Sequence, residues 1–285
     1  MNNYELSISK WQQDATISGL LFAIERGFEK FGVDYYLIGA LARDTWMGLH
    51  NIQPGRATKD IDFAILIPDI STFHELKDYL VAQEDFNEYK ENAFVLLWKD
   101  GTQVDLLPFG NIEDNGVVRV QGRGHTSINV DGFLEVYQQG LPEVMLETGN
   151  KFKFCSLHGI VLLKLIAWDD RPEMRAKDIG DICGILEHYF DINTEGIFNN
   201  HNDLFVDKDA TLTDIAATVL GREIGVVMSQ NHNIANRVMG ILAENIQHEG
   251  NSKLVRLMTS YYDNTVEDNT RLLQCLLTGI KHSLK

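Results

Sequence analysis

The chain has 285 residues, 44% of them hydrophobic, with a formal net charge of −16. That is enough apolar material for one large domain or two smaller ones; the acidic balance argues against broad nucleic-acid binding through a basic surface, yet leaves room for a small basic pocket or an acidic one that recruits divalent cations. With no uncharged apolar run of about 18 residues, no basic-then-apolar opening of the signal-peptide kind in MNNYELSISKWQQD, and only Cys155, Cys183 and Cys275 as thiols, the expectation is a cytoplasmic protein with no membrane span, no disulfide frame and no zinc site.

In chain order, DATISGLLFAIERGFEKFG predicts an amphipathic helix, capped by Asp14 and ended by Gly32. VDYYLIG predicts a short buried strand, and ALARDTWMGLH a helix that starts directly after Gly39. NIQPGRATK is a loop by its Pro-Gly pair. DIDFAILI is the next strand, closed by Pro68, and a helix follows with Asp69 or Ser71 as cap. ENAFVLLW and TQVDLLPF flank an Asp100-Gly101 turn and predict a hairpin. GVVRV and TSINV are further strand candidates, and DGFLEVYQQG is either a helix or a strand. From SLHGIVLLKLIAWDD onward the pattern is helical, with helices expected over 156–169, 172–188, 213–231, 233–247 and 268–284. The expected organisation is a mixed α/β (α+β) region over 1–152, with flanking helices on a mixed sheet, and an all-helical region over 153–285.

Asp60 and Asp62 share one face of their strand, because side chains alternate along it. Two close carboxylates repel and raise each other's pKa. A cation between them removes that penalty, and Mg²⁺ prefers oxygen ligands of this kind. The alternative is that Asp60 flanks a loop and Asp62 makes a surface ion pair. Asp105 is a third acid on an otherwise apolar strand, QVDLLPF, which a hairpin or adjacent strand would bring beside the first pair. Upstream, YYLIGALARD places a glycine between strand and helix, where backbone can approach a ligand and a helix N-terminus favours phosphate.

LIGALARD, KDIDFAIL and VDLLPF together resemble the DNA polymerase β-like nucleotidyltransferase superfamily. LLKLIAWDDR, with Lys164 and Ala167, is similar to the Lys-x-x-Ala-x-x-x-Arg signature of AbiEii-type nucleotidyltransferases, and RAKDIGDICGIL, with Lys177, Asp178 and Asp181, to their Lys-Arg-Asp-x-x-Asp signature. The resemblance spans roughly Tyr36 to Leu186. It implies that Asp60, Asp62 and Asp105 hold two Mg²⁺ ions, one carrying a nucleoside triphosphate (NTP) and one activating an attacking hydroxyl. It further implies transfer of a nucleotidyl group to an RNA or protein acceptor, in a toxin with a cognate antitoxin as partner. Antibiotic-type transfer to a small hydroxylated molecule, and nucleotide binding without turnover, are the alternatives. Two departures stand out: Ala40 replaces the family's Ser or Thr, and 21 positions separate Gly39 from Asp60, more than the usual spacer.

Gly39 and Ala40 would line the phosphate turn. Arg43, four residues on, either contacts phosphate or pairs with a neighbouring acid. Lys59 and Arg56, on the preceding loop, either contact phosphate or are solvated. Lys164 interrupts an apolar helix, so it either serves the site with a triphosphate or carboxylate partner or reaches solvent from a helix edge. Asp178 and Asp181, three apart on one helix, either orient Lys164 or pair with Lys177 and Arg175. GRGH, Gly122 to His125, is a candidate for a flexible basic loop over the pocket.

Overall fold

The computed structural model describes residues 3–5, 15–53, 60–145 and 151–285. Asp14, Arg56 and Lys59 lie outside the described residues. The chain forms two compact units, Met1–Ser156 and Leu157–Lys285. No helix among the described residues is long and apolar enough to cross a membrane.

The first unit runs β1 (Asn3–Glu5), α1 (Ala15–Phe31), β2 (Asp34–Ile38), α2 (Gly39–Leu49), β3 (Asp60–Leu66), α3 (Ile70–Gln83), β4 (Phe86–Glu88), β5 (Val95–Trp98), β6 (Gln103–Phe109), β7 (Val117–Arg119), β8 (Ser127–Asn129), α4 (Phe133–Gln138), β9 (Glu143–Met145) and β10 (Lys151–Lys153). The main sheet has the order β2-β3-β6-β5-β4. β3 and β6 are parallel, and the other neighbouring pairs are antiparallel. This is a mixed α/β sheet with flanking helices. β5 and β6 form the expected hairpin, with Gly101 at φ 89° in its turn. Of the two candidate caps for α3, Asp69 serves: its side chain accepts from the Thr72 amide.

The two faces of the main sheet differ in chemistry. Ile61, Phe63, Ile65, Val104 and Leu106 point to one face and are fully buried or nearly so. There Phe28 of α1 meets Phe63 edge to face at 5.6 Å. α1 and α3 close over this face: a Cβ on Gly27 would come within 2.9 Å of the Leu80 side chain. The opposite face is divided along the strands. At one end Tyr36, Phe109 and α4 make an aromatic cluster, in which Tyr36 is 5.7 Å from Phe109 and donates its hydroxyl to the Phe133 carbonyl at 2.9 Å. Asp34 closes that end, accepting from Tyr137 and Lys153 at 2.6 Å each. At the other end of the same face stand Asp60, Asp62, Gln103 and Asp105, all at least partly accessible.

The second unit is all helical: α5 (Leu157–Asp170), α6 (Ala176–Ile192), α7 (Thr194–Asn200), α8 (Leu212–Met228), α9 (His232–Gln247), α10 (Lys253–Tyr261) and α11 (Val266–Ser283), with 3-10 turns over Asn202–Val206 and Glu249–Asn251. Capping boxes fix two starts. Thr211 with Asp214 opens α8, and Thr265 with Asp268 opens α11. α8 and α11 pack backbone to backbone: a Cβ on Gly279 would stand 2.0 Å from the Thr218 carbonyl oxygen. α6 begins four residues later than Pro172, because Arg171 to Met174 close a turn of their own through the Met174 amide and the Arg171 carbonyl, 2.9 Å apart. α7 and α10 are short helices beyond those expected from the sequence.

Candidate active site

The parallel register sets Asp60 opposite Gln103 and Asp62 opposite Asp105. Directly opposed residues share a face, and so do residues two apart on a strand. Asp60, Asp62, Gln103 and Asp105 therefore occupy the four corners of one patch. Ile38, the last residue of β2, lies opposite Asp62 on its other side, and Val95 of β5 lies opposite Asp105. The acids are thus flanked by apolar rows and stand at the strand ends, not among the core residues.

The chain turns directly from Ile38 into α2 at Gly39, whose φ is 68°. Only a residue without Cβ adopts that conformation at little cost. A Cβ on Gly39 would also sit 2.2 Å from Asp62 Oδ2. Glycine here lets the Asp62 carboxylate come up to the amino-terminal end of α2. Unpaired amide groups and the helix dipole make such an end favourable to anions. Ala40 is buried and adds no hydroxyl.

The all-oxygen donor set of the three aspartates fits a hard cation such as Mg²⁺. Among the described residues no three Asp, Glu, His or Cys groups are gathered tightly enough to hold a metal ion. Opposed strand neighbours lie roughly 5 Å apart and diagonal ones roughly 7–8 Å.

Gln103 carried no signal in the sequence. Its Nε2 donates to Asp105 Oδ1 at 2.7 Å. Only the strand register shows that it stands beside all three acids.

Arg43 is buried and donates through Nε to Asp44 Oδ1 at 2.7 Å. The GRGH segment is pinned, not loose: the His125 amide donates to the Glu91 carbonyl at 2.8 Å, and the Ala93 amide to the His125 carbonyl at 2.9 Å.

In the helical unit, Lys164 Nζ lies 2.7 Å from Asp178 Oδ1 and 2.7 Å from Asp181 Oδ2. The three side chains are 11%, 11% and 4% exposed, so this is a buried ion triad that ties α5 to α6. Burial pushes the Lys164 pKa down, but the two carboxylates outweigh it and hold the ammonium above its ordinary value. The spacing of the acids explains the contact, because residues three apart on a helix face the same way. A second, half-buried cluster centres on Glu223 of α8. It accepts from Tyr189 and Asn193 and pairs with His158 at 3.1 Å.

A family model described as "Nucleotidyl transferase AbiEii toxin, Type IV TA system" matches residues 28–234. Among curated proteins none matches the chain. A solved structure similar to it is that of the antibiotic-resistance factor ANT(2'')-Ia, at 15% identity and a TM-score of 0.38, covering 68% of this chain and 97% of that one. The family match takes in β2, α2, β3, β6, α5 and α6, so it includes both the acidic patch and the lysine triad. The chain belongs to the AbiEii nucleotidyltransferase family of type IV toxin–antitoxin systems and is a nucleotidyltransferase.

Proposed function

We propose that the chain moves a nucleotidyl group from an NTP to a hydroxyl on an RNA or protein acceptor, and that Asp60, Asp62 and Asp105 are its metal-binding residues. The observation that carries this reading is the register pair Asp62–Asp105, with Gly39 closed against Asp62. Mg²⁺ bound there would neutralise triphosphate charge and acidify the attacking hydroxyl. In the reaction the acceptor hydroxyl loses its proton, its oxygen bonds to the α-phosphorus, and the bond from that phosphorus to pyrophosphate breaks.

The chain's own residues have separate tasks in this scheme. The Gly39 turn and the first amides of α2 receive triphosphate oxygens. Lys164 serves as a positioning residue. Its ammonium is shared by the Asp178 and Asp181 carboxylates, and Arg175 stands 3.7 Å from Asp178 as a second cation. Asp178 and Asp181 act in this scheme through Lys164, which they hold between α5 and α6. The family description supports a toxin with a cognate antitoxin protein, and the three free cysteines suit a reducing cytoplasm.

Incubation of the protein with α-labelled NTPs and cell extract tests the reading. Label is expected on RNA or protein, dependent on Mg²⁺ and abolished by Asp62→Asn. Label confined to small molecules would identify a different acceptor class, and an absence of Asp62-dependent label in every fraction would remove the assignment.

A further inference from the structure

Three corners of the patch are acids and the fourth is an amide. Gln103 opens β6, sits opposite Asp60 in register, and precedes Asp105 by two residues on the same face. A carboxylate at that corner would add a fourth like charge. A lysine or arginine would offset part of the patch's charge and compete with a cation. Glutamine does neither, and it offers both a donor and an acceptor. Its donor is used: Nε2 lies 2.7 Å from Asp105 Oδ1. An ionised carboxylate accepts but does not donate, so the bond runs from the amide to the acid.

We propose that Gln103 is the positioning residue for Asp105, fixing that carboxylate in the orientation in which it takes a divalent cation together with Asp62. This rests on the metal-binding role proposed above for the acidic patch. The amide bond limits rotation of the Asp105 side chain where it faces the like-charged Asp62 across the strands. Groups bonded behind a metal ligand orient it, and their loss typically weakens metal affinity or activity about 10- to 100-fold. Gln103 is not a catalytic residue in this account, because it acts through Asp105.

The test uses Mn²⁺ as the probe, titrated into the full-length protein and read from the paramagnetic signal of the free ion, with melting temperature recorded alongside. Wild type should bind Mn²⁺, and Asp62→Asn should lose that binding. Gln103→Met keeps length and removes the donor; it should bind about 10- to 100-fold more weakly while melting close to wild type. Gln103→Leu, a second neutral side chain suited to a half-buried strand, should behave alike and carries the test if the first variant does not fold. Unchanged Mn²⁺ affinity in a folded Gln103 variant would overturn the positioning role alone. If wild type bound no Mn²⁺, or bound it equally well without the Asp62 charge, the metal-site reading would fall and the role of Gln103 with it.

Discussion

Gly39 and Asp62 are packed so closely that a Cβ on Gly39 would stand 2.2 Å from Asp62 Oδ2, with Gly39 at φ 68°. Two separate physical reasons therefore require glycine at this position. The left-handed backbone disfavours any side chain, and the carboxylate occupies the space that side chain would need.

Gly39→Ala is expected to cost roughly 2 kcal/mol or more, combining the left-handed backbone penalty with the clash. It should also displace Asp62 and lower transfer at least about tenfold, since small misplacements of reacting groups cost up to about 10²-fold. Thermal melts and the transfer assay on one preparation check both. A variant as stable and as active as wild type would mean that the close approach has no consequence.

Lys164→Ala should destabilise the protein by about 3–5 kcal/mol, because it removes the ammonium that two buried carboxylates share. Replacing the whole triad by apolar residues of similar volume should cost much less. The pH dependence has a definite sign. The folded-state pKa of Lys164 is raised above its ordinary value, so its contribution is complete below the unfolded value, near pH 10.4. It is lost as pH rises through the folded value. Denaturant melts at neutral and strongly alkaline pH should converge for wild type and variant only on the alkaline side.

Glu223→Gln should cost about 1.5–3 kcal/mol, the usual range for hydrogen bonds to a charged group. Burial pushes the Glu223 pKa up, but the bond and charge of His158 and the Tyr189 hydroxyl outweigh it and hold the carboxyl below its ordinary value. Its contribution is therefore present above the unfolded pKa, near 4.3, and lost as pH falls through the folded one. The gap between variant and wild type should shrink in acid, which melts over a pH series would show.

The parts of the site that lie on long periodic elements were legible in the sequence. β3 and β6 each carry acids within an apolar strand pattern, and the Asp100-Gly101 turn marks the β5–β6 hairpin. Gly39 sits at the junction of two patterns of different period, so the start of α2 was also readable. The small sheet of β1, β9 and β10 was not, since three-residue strands are too short for alternation to register and β1 pairs with β9 from far away in the sequence. Gln103 was invisible for a different reason: a lone glutamine in a strand is unremarkable until the parallel register puts it beside Asp60 and its amide on Asp105. Asp178 and Asp181 were visible as a helix-face pair, but their commitment to Lys164 depends on how α5 and α6 pack.

Asp62→Asn separates metal chemistry from stability. It keeps the size of the side chain and removes one charge of the opposed pair with Asp105. Like charges directly opposite on neighbouring strands are destabilising. Without Mg²⁺ the variant should melt at or above the wild-type temperature. A clear drop would mean that Asp62 is held by structural partners whose loss costs about 1–3 kcal/mol.

The most direct measurement of the central claim follows the phosphorus itself. Wild type and Asp62→Asn are each incubated with cell extract, Mg²⁺ and NTP labelled at either the α- or the γ-phosphate. Nucleotidyl transfer through the aspartate patch predicts α-label on the acceptor and γ-label in released pyrophosphate, both requiring Mg²⁺ and both lost in the variant. Transfer of the γ-label to the acceptor, or α-label transfer that persists undiminished in Asp62→Asn, would contradict it.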